Sequence, residues 1–195
     1  MAPDSFHRAS NRFTGLISRE LFPYAKTIIG VDNSAQAVDR YNKGAKALGI
    51  SHGAMHAIAC ELEDDPAELR GQQFDVITVS IQLSVMCVDK NPFVQCTVAY
   101  HHFASIEEKT KLLASYLKPG GSLIVVDLHR PDASGDGVPE YFNATVVQIG
   151  VTEKEMRDVF ERAGLIDFKF QKGQKITAYG DFQPSTFLAS AKKVV

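Results

Sequence analysis

The sequence predicts an α/β domain whose mostly parallel sheet is covered by helices on both faces. Apolar runs of strand length alternate along the chain with amphipathic runs of helix length. This alternation is typical of parallel sheets whose strands are buried on both faces. Two apolar segments follow the last predicted helix with no helix between them, so they predict an antiparallel hairpin at the C-terminus. At 195 residues, a single domain is expected.

The order of strands and helices can be followed along the chain. Strands appear as short apolar runs, and helices as longer runs with apolar residues three and four positions apart. Ser34, Ser105 and Thr152 each precede a predicted helix and carry a hydroxyl of the kind preferred at a helix N-cap. In chain order we predict a helix over 16–24, a strand over 27–32, a helix over 35–48, strands over 54–60 and 74–79, a helix over 106–117, a strand over 122–128, a helix over 153–163, and strands over 168–170 and 186–191.

The composition narrows the classes of function. The chain is 45% hydrophobic and 23% charged, with a net charge of −2, which does not favour a nucleic-acid-binding surface. Its apolar runs are far shorter than the roughly 20 residues that cross a bilayer, and the N-terminus does not resemble a secretory signal. The three cysteines lack C-x-x-C spacing and predict neither structural zinc nor a disulfide framework. We therefore expect a cytoplasmic protein without membrane or nucleic-acid partners.

Asp32, the last residue of the predicted strand over 27–32, is the main candidate for ligand binding. A parallel strand delivers its last residue to the carboxyl edge of the sheet. Nucleotide-binding α/β folds place an acid there that binds both hydroxyls of a ribose. The alternative is an acid that serves only as a cap for the following helix, although Asn33 and Ser34 can provide that cap without it.

Several segments of the chain resemble class I S-adenosylmethionine-dependent methyltransferases, in particular those that methylate small molecules. Each segment alone is a weak match, but their order and spacing follow the family. The matching segments are residues 14–16, 28–34, 74–77, 100–103, 116–127 and 152–165. The resemblance implies a Rossmann-like methyltransferase fold and S-adenosylmethionine as cofactor.

The resemblance also implies which residues bind the cofactor. Asp32 would bind the ribose hydroxyls, with Asn33 beside it, and Glu61 and Leu62 would contact the adenine. Gly15 matches the last glycine of the turn that holds the cofactor. A solvated acidic loop at Glu61 and an ordinary turn at Gly15 are the alternative interpretations.

His101 and His102 match the segment that lines the methyl-transfer cleft of the family. One of them could act as a general base towards a hydroxyl or amine, since imidazole titrates near neutral pH. The alternative is local packing of the cleft wall. The predicted function is methyl transfer to an oxygen or nitrogen nucleophile of a small-molecule acceptor, without a metal.

Two departures from the family pattern predict impaired activity. Asn11 and Phe13 stand where the earlier glycines of the cofactor turn are expected, and a side chain there meets the ligand. Residues 1–13 predict a loosely held tail before a domain over 14–195, so the first, central strand of the sheet is predicted to be missing. An insertion over 80–95 predicts a loop that bulges from the sheet edge, or a strand that re-forms from one side of the insertion. A missing exon at the start and an unspliced intron at 80–95 would explain both departures.

These departures leave an alternative function open. A sheet without its central strand would present an exposed apolar edge. The alternative is therefore a non-catalytic methyltransferase-like protein that binds a protein partner, or self-associates, through this edge or the inserted segment. A nicotinamide-dependent oxidoreductase also uses an acid after its second strand. The Lys118-Pro-Gly-Gly121 turn and the segment over 152–165 disfavour it.

Overall fold

The computed structural model describes residues 16–60, 69, 71–80, 92–96, 100, 103–130, 150–175 and 185–195. Within these ranges the chain forms a single seven-stranded sheet. Its strands are β1 (Thr27–Asp32), β2 (Met55–Ala59), β3 (Phe74–Ser80), β4 (Pro92–Cys96), β5 (Leu117–His129), β6 (Leu165–Lys175) and β7 (Ser185–Lys193). They lie in the order β2-β1-β4-β3-β5-β7-β6. β1 to β5 are parallel, and β7 runs antiparallel to both β5 and β6. The predicted fold class, including the C-terminal hairpin, is confirmed.

The helices begin where the sequence places their caps. They are α1 (Leu16–Leu21), α2 (Ala35–Ala47), α3 (Ile106–Ser115) and α4 (Glu153–Arg162). The Ser34 hydroxyl accepts the Ala37 N–H at 3.3 Å, and Ser105 caps α3 in the same way. Thr152 and Glu155 form a reciprocal capping box at α4, which satisfies two N–H groups that the helix itself cannot.

The sheet buries an apolar core on each of its faces. Neighbouring residues of β1 divide between the two cores, as the alternation of strand side chains requires. Ile28 packs on the face covered by α1 and α2, and Ile29 on the face covered by α3 and α4. Leu21 and Tyr41 belong to the first core, and Phe160 to the second.

β4 lies at the centre of the sheet. It pairs with β1 from Thr27↔Pro92 to Val31↔Cys96, and with β3 from Val76↔Phe93 to Val79↔Cys96. The sequence predicts a missing central strand and a loop over 80–95. Residues 92–96 fill the central position, so the loop prediction is wrong at these residues, and the alternative of a strand re-formed from one side of the insertion is what the structure shows. The physical reason is that buried backbone groups of β1 and β3 need hydrogen-bond partners, which a parallel strand between them provides. Residues 81–91 and the predicted tail over 1–13 lie outside the described residues.

The β2 edge of the sheet is closed by hydrogen bonds within the chain. The Ala57 N–H donates to Asn42 Oδ1 at 2.8 Å, and Asn42 Nδ2 donates to the Ala57 carbonyl at 3.0 Å. The Met55 N–H donates to the Ser51 carbonyl at 3.0 Å. The Asn42 side chain of α2 thus takes the place of a neighbouring strand at this edge.

The β6 edge of the sheet also has features that oppose pairing with another chain. β6 carries Lys169, Lys172 and Lys175, and its register against β7 shifts twice. Asp167 adopts a φ of 58° between paired residues. Lysines and irregular register at an edge strand disfavour further pairing. The described edges therefore give no support to self-association through an exposed apolar strand.

A proline in β4 tests its central position. We expect Val94→Pro to lower the free energy of unfolding by about 3 kcal/mol or more, because proline removes a ladder N–H and clashes in a central strand. Urea unfolding followed by circular dichroism measures this. Val194→Pro places the same substitution after β7, at an exposed position, and should stay within about 0.5 kcal/mol of wild type. Equal midpoints for the two variants would contradict a central β4.

Removal of the Asn42 carboxamide tests the closed β2 edge. Asn42→Ala should lower the free energy of unfolding by about 1–2 kcal/mol, because two hydrogen bonds are lost. It should also promote association, measured by light scattering after gel filtration, since the backbone of Ala57 becomes available. Gln36→Ala on the exposed side of α2 is the matched control. An unchanged Asn42→Ala protein would show that this contact does not protect the edge.

Candidate functional site

The carboxyl ends of the parallel strands meet at one edge of the sheet. Asp32 pairs with Ala59, and Val31 pairs with Cys96. Further along the same edge, Ser80 pairs with Val126. Open α/β sheets bind ligands in the crevice at this edge, where the connections between strands diverge. The candidate site is therefore the crevice outside the ends of β1, β4 and β3.

Asp32 lies at this edge with its carboxylate held in a defined position. Its side chain is half-buried, and Oδ1 accepts the Ser34 N–H at 2.8 Å. Ser34, and not Asp32, is the N-cap of α2, as the sequence suggests. A carboxylate has about four lone-pair sites, and the Ser34 N–H occupies one of those of Asp32. Asn33 follows it on the surface.

The chain that follows β2 is tied to Asp32 through the backbone. The Cys60 N–H donates to the Asp32 carbonyl at 3.1 Å. Glu61 and Leu62, the predicted adenine contacts, come directly after Cys60 and lie outside the described residues. The hydrogen bond fixes Cys60 beside the predicted ribose acid.

The residues on either side of the two histidines are anchored beside α3. Tyr100 is buried, and its hydroxyl lies 3.0 Å from Thr110 Oγ1. Phe103 packs edge-on against Tyr100, with ring centroids 5.6 Å apart, and its N–H donates to the Tyr100 carbonyl at 3.1 Å. In the sequence, His101 and His102 come between Tyr100 and Phe103; like Gly15, they fall outside the described residues.

Two titratable residues at the end of β5 form a feature that sequence reasoning did not assign to the site. Asp127 is fully buried, and its Oδ1 accepts the Leu128 N–H at 2.6 Å. His129 is nearly buried, and its ring centroid lies 5.7 Å from that of Phe170. A strand places residues two apart on the same face, and this spacing is the signal that both side chains lie on one face of β5.

A cleft of about 310 Å³ lies between α3 and α4 and was also missed. Its apolar wall is formed by Phe103, Ile106 and Val159. Its charged groups are paired, Arg162 Nη1 with Glu107 Oε2 at 2.7 Å and Arg130 with Glu155. Asp32 and Asn33 do not line it, so it is separate from the predicted ribose site.

Glu155 combines helix capping with an ion pair at this cleft. Partial burial alone would raise the pKa of Glu155, but hydrogen bonds from Arg130 and Thr152 outweigh it and hold the pKa below its ordinary value. The ionised carboxylate thus contributes to folding. By linkage, this contribution is present above the ordinary pKa of 4.5 and is lost as the pH falls through the lowered, folded-state pKa.

Other candidate features concern membranes and metals. In the described ranges, no helix combines the length and apolar character needed to cross a membrane. The same ranges contain no group of three or more His, Cys, Asp or Glu side chains that could hold a metal ion.

A charge-removing substitution tests the role of Glu155. Glu155→Gln retains an oxygen for the capping box, so mainly the charge is lost. We expect the variant to be less stable than wild type at about pH 7, and the difference to be smaller at about pH 3, where more of the wild-type carboxyl is protonated. Urea unfolding at both pH values measures this. Glu161→Gln, exposed on the same helix, is the control. A stability difference that does not change with pH would contradict the ion-pair contribution.

Comparison with known proteins gives one relative in sequence and many in structure. No family model matches the chain. An uncharacterized methyltransferase of Schizosaccharomyces pombe is 35% identical over 118 residues, which cover 59% of this chain and 36% of that protein. The YcgJ protein of Bacillus subtilis has a TM-score of 0.64 at 18% identity, covering 91% of this chain and 87% of its own. The N-methyltransferase NodS of Bradyrhizobium japonicum, in complex with S-adenosylhomocysteine, has a TM-score of 0.58 at 17% identity, covering 97% and 86%.

These comparisons establish a fold and a relationship. The structural matches, at low identity, show the architecture of the sheet and its helices. The sequence match spans only about a third of the length of the curated relative, 36%. The chain is thus similar in sequence to a methyltransferase of Schizosaccharomyces pombe and has a Rossmann-like methyltransferase fold, which confirms the predicted resemblance to methyltransferases.

Proposed function

We propose that this chain binds S-adenosylmethionine and acts in methyl transfer to an oxygen or nitrogen nucleophile of a small molecule. The observation that carries the proposal is the position of Asp32 at the carboxyl end of β1, with its carboxylate fixed ahead of α2. The relationship to a methyltransferase and the S-adenosylhomocysteine bound to NodS support it. A cytoplasmic location is part of the proposal, since the cysteine pattern suits a reducing compartment.

Asp32 would hold the ribose of the cofactor. Each charge-assisted hydrogen bond from a ribose hydroxyl to the carboxylate is worth about 1.5–3 kcal/mol. The Ser34 N–H fixes the carboxylate before the ligand arrives, so little side-chain freedom is lost on binding. Glu61 and Leu62, which follow Cys60, would contact the adenine.

The protein has few chemical tasks in this reaction. S-Adenosylmethionine supplies a methyl group already activated on a sulfonium, so the protein aligns the acceptor and excludes water. His101 or His102 would accept the proton released by a hydroxyl or amine acceptor. The anchored Tyr100 and Phe103 on either side would position these histidines. We propose that activity is impaired, because Asn11 and Phe13 replace glycines expected in the cofactor turn.

A second candidate function is a non-catalytic, methyltransferase-like binding protein. The position of β4 favours this candidate, because the central strand comes from residues 92–96 and glycine does not follow it directly in the sequence. Cofactor binding without transfer to any acceptor would distinguish this function from methyl transfer. Under this candidate, Asp32 would still bind the ligand.

Substitution of Asp32 tests both candidates at once. Asp32→Asn keeps an oxygen for the Ser34 N–H and removes the charge, so we expect S-adenosylhomocysteine to bind at least about tenfold more weakly. Isothermal titration calorimetry measures the affinity. Asp39→Asn removes the same charge from an exposed residue of α2 that pairs with Lys43 and should leave binding unchanged. If a folded wild-type chain does not bind S-adenosylhomocysteine, the proposed function is wrong.

A further inference from the structure

The site around Asp32 offers defined contacts to the nucleoside part of an S-adenosyl ligand but not to its amino-acid part. We propose that it recognises the nucleoside part of such a ligand and does not recognise the amino-acid part. The inference rests on the proposed function, because it takes Asp32 as the ribose ligand. The ligand class is then adenosine and its 5′-thioethers, whether or not an amino acid is attached.

The first argument is the connection of the central strand. In nucleotide-binding α/β folds, a glycine turn leads from the central strand directly into a helix and places backbone N–H groups against the charged part of the ligand. Here β4 ends at Cys96, and the chain continues towards the buried Tyr100 and α3. α1 begins at Leu16, far from Cys96 in sequence. No direct turn can therefore join β4 to α1.

The second argument concerns the backbone of β4 itself. Phe93 to Cys96 pair with β1 on one side and with β3 on the other. The N–H groups of a strand paired on both sides are used by the two ladders. β4 thus serves as the centre of the sheet, and its backbone is not free to donate to a ligand carboxylate within these residues.

The third argument is the chemistry of the neighbouring helices. α1 has six residues, too few to supply the anion-binding end that a long helix offers. α3 is longer, but its first turn contains Glu107 and Glu108. A carboxylate brought to this turn would meet the charge of Glu108 and would compete with Glu107 for Arg162, which Glu107 already binds. Neither helix is suited to hold the carboxylate of an amino acid.

In contrast, the part of the site that would hold the nucleoside is fixed by hydrogen bonds. Asp32 is oriented by the Ser34 N–H, and Ser34 in turn caps the 13-residue helix α2. The Cys60 N–H binds the Asp32 carbonyl and fixes the end of β2 beside it. These contacts build a defined acceptor for two ribose hydroxyls, independent of β4 and of the connections that follow it.

A matched pair of ligands tests the inference. S-Adenosylhomocysteine and 5′-methylthioadenosine share the adenosine and the thioether sulfur and differ in the amino-acid part. We expect calorimetric titration of the full chain to give dissociation constants within about threefold of one another. Asp32→Asn should weaken both at least about tenfold, and Asp39→Asn neither. Free L-methionine should not bind.

The outcomes separate this inference from the proposed function. If S-adenosylhomocysteine binds at least about tenfold more tightly than 5′-methylthioadenosine, the amino-acid part is recognised; the inference then fails, and the proposed function stands. If 5′-methylthioadenosine binds equally well to Asp32→Asn, the nucleoside site is not at Asp32 and the inference also fails. If neither ligand binds the folded chain, the proposed function fails and the inference with it.

Discussion

The position between β1 and β3 is the constraint on which the rest of the structure depends. Both strands are buried on both faces, so their backbone N–H and C=O groups need partners from the protein. β4 supplies these partners with only five residues. The continuous sheet then separates the two apolar cores and aligns the carboxyl ends of five parallel strands. The candidate site is a consequence of this alignment, since Asp32 lies at the end of β1 beside β4.

Helix α2 connects the candidate site, the core and the edge of the sheet. Its cap, Ser34, orients Asp32, and Asn42 closes the β2 edge through Ala57. Tyr41, which precedes Asn42 in the same helix, is buried against the sheet. Burial raises the pKa of the Tyr41 phenol to about 12, against the opposing effects of Ser18 and Arg19 beside it. One face of α2 thus packs against the sheet, while its N-cap Ser34 and the side chain of Asn42 bond polar groups of β1 and β2.

Local patterns in the sequence predicted those parts of the fold that depend on local forces. The strand over 27–32 and the caps Ser34, Ser105 and Thr152 are found where they are predicted, because apolar periodicity and capping act over a few residues. Asp32 could be placed at the sheet edge for the same reason. The central position of residues 92–96 could not be predicted, since a short strand is defined by its distant partners. Asn42 was missed likewise, because its partner Ala57 is fifteen positions away.

The long-range pairing of β4 has a consequence for how the chain folds. β1, α2 and β2 are consecutive and can assemble from neighbouring segments as the nascent chain emerges. On its other side β1 pairs with β4, from Thr27 and Pro92 onwards. This side of β1 therefore stays unpaired until residues 92–96 have been synthesised. During that interval its apolar strand has no neighbour, which is the situation in which chaperones protect nascent α/β chains from association. The centre of the sheet can therefore be completed only after residues 92–96 have been added.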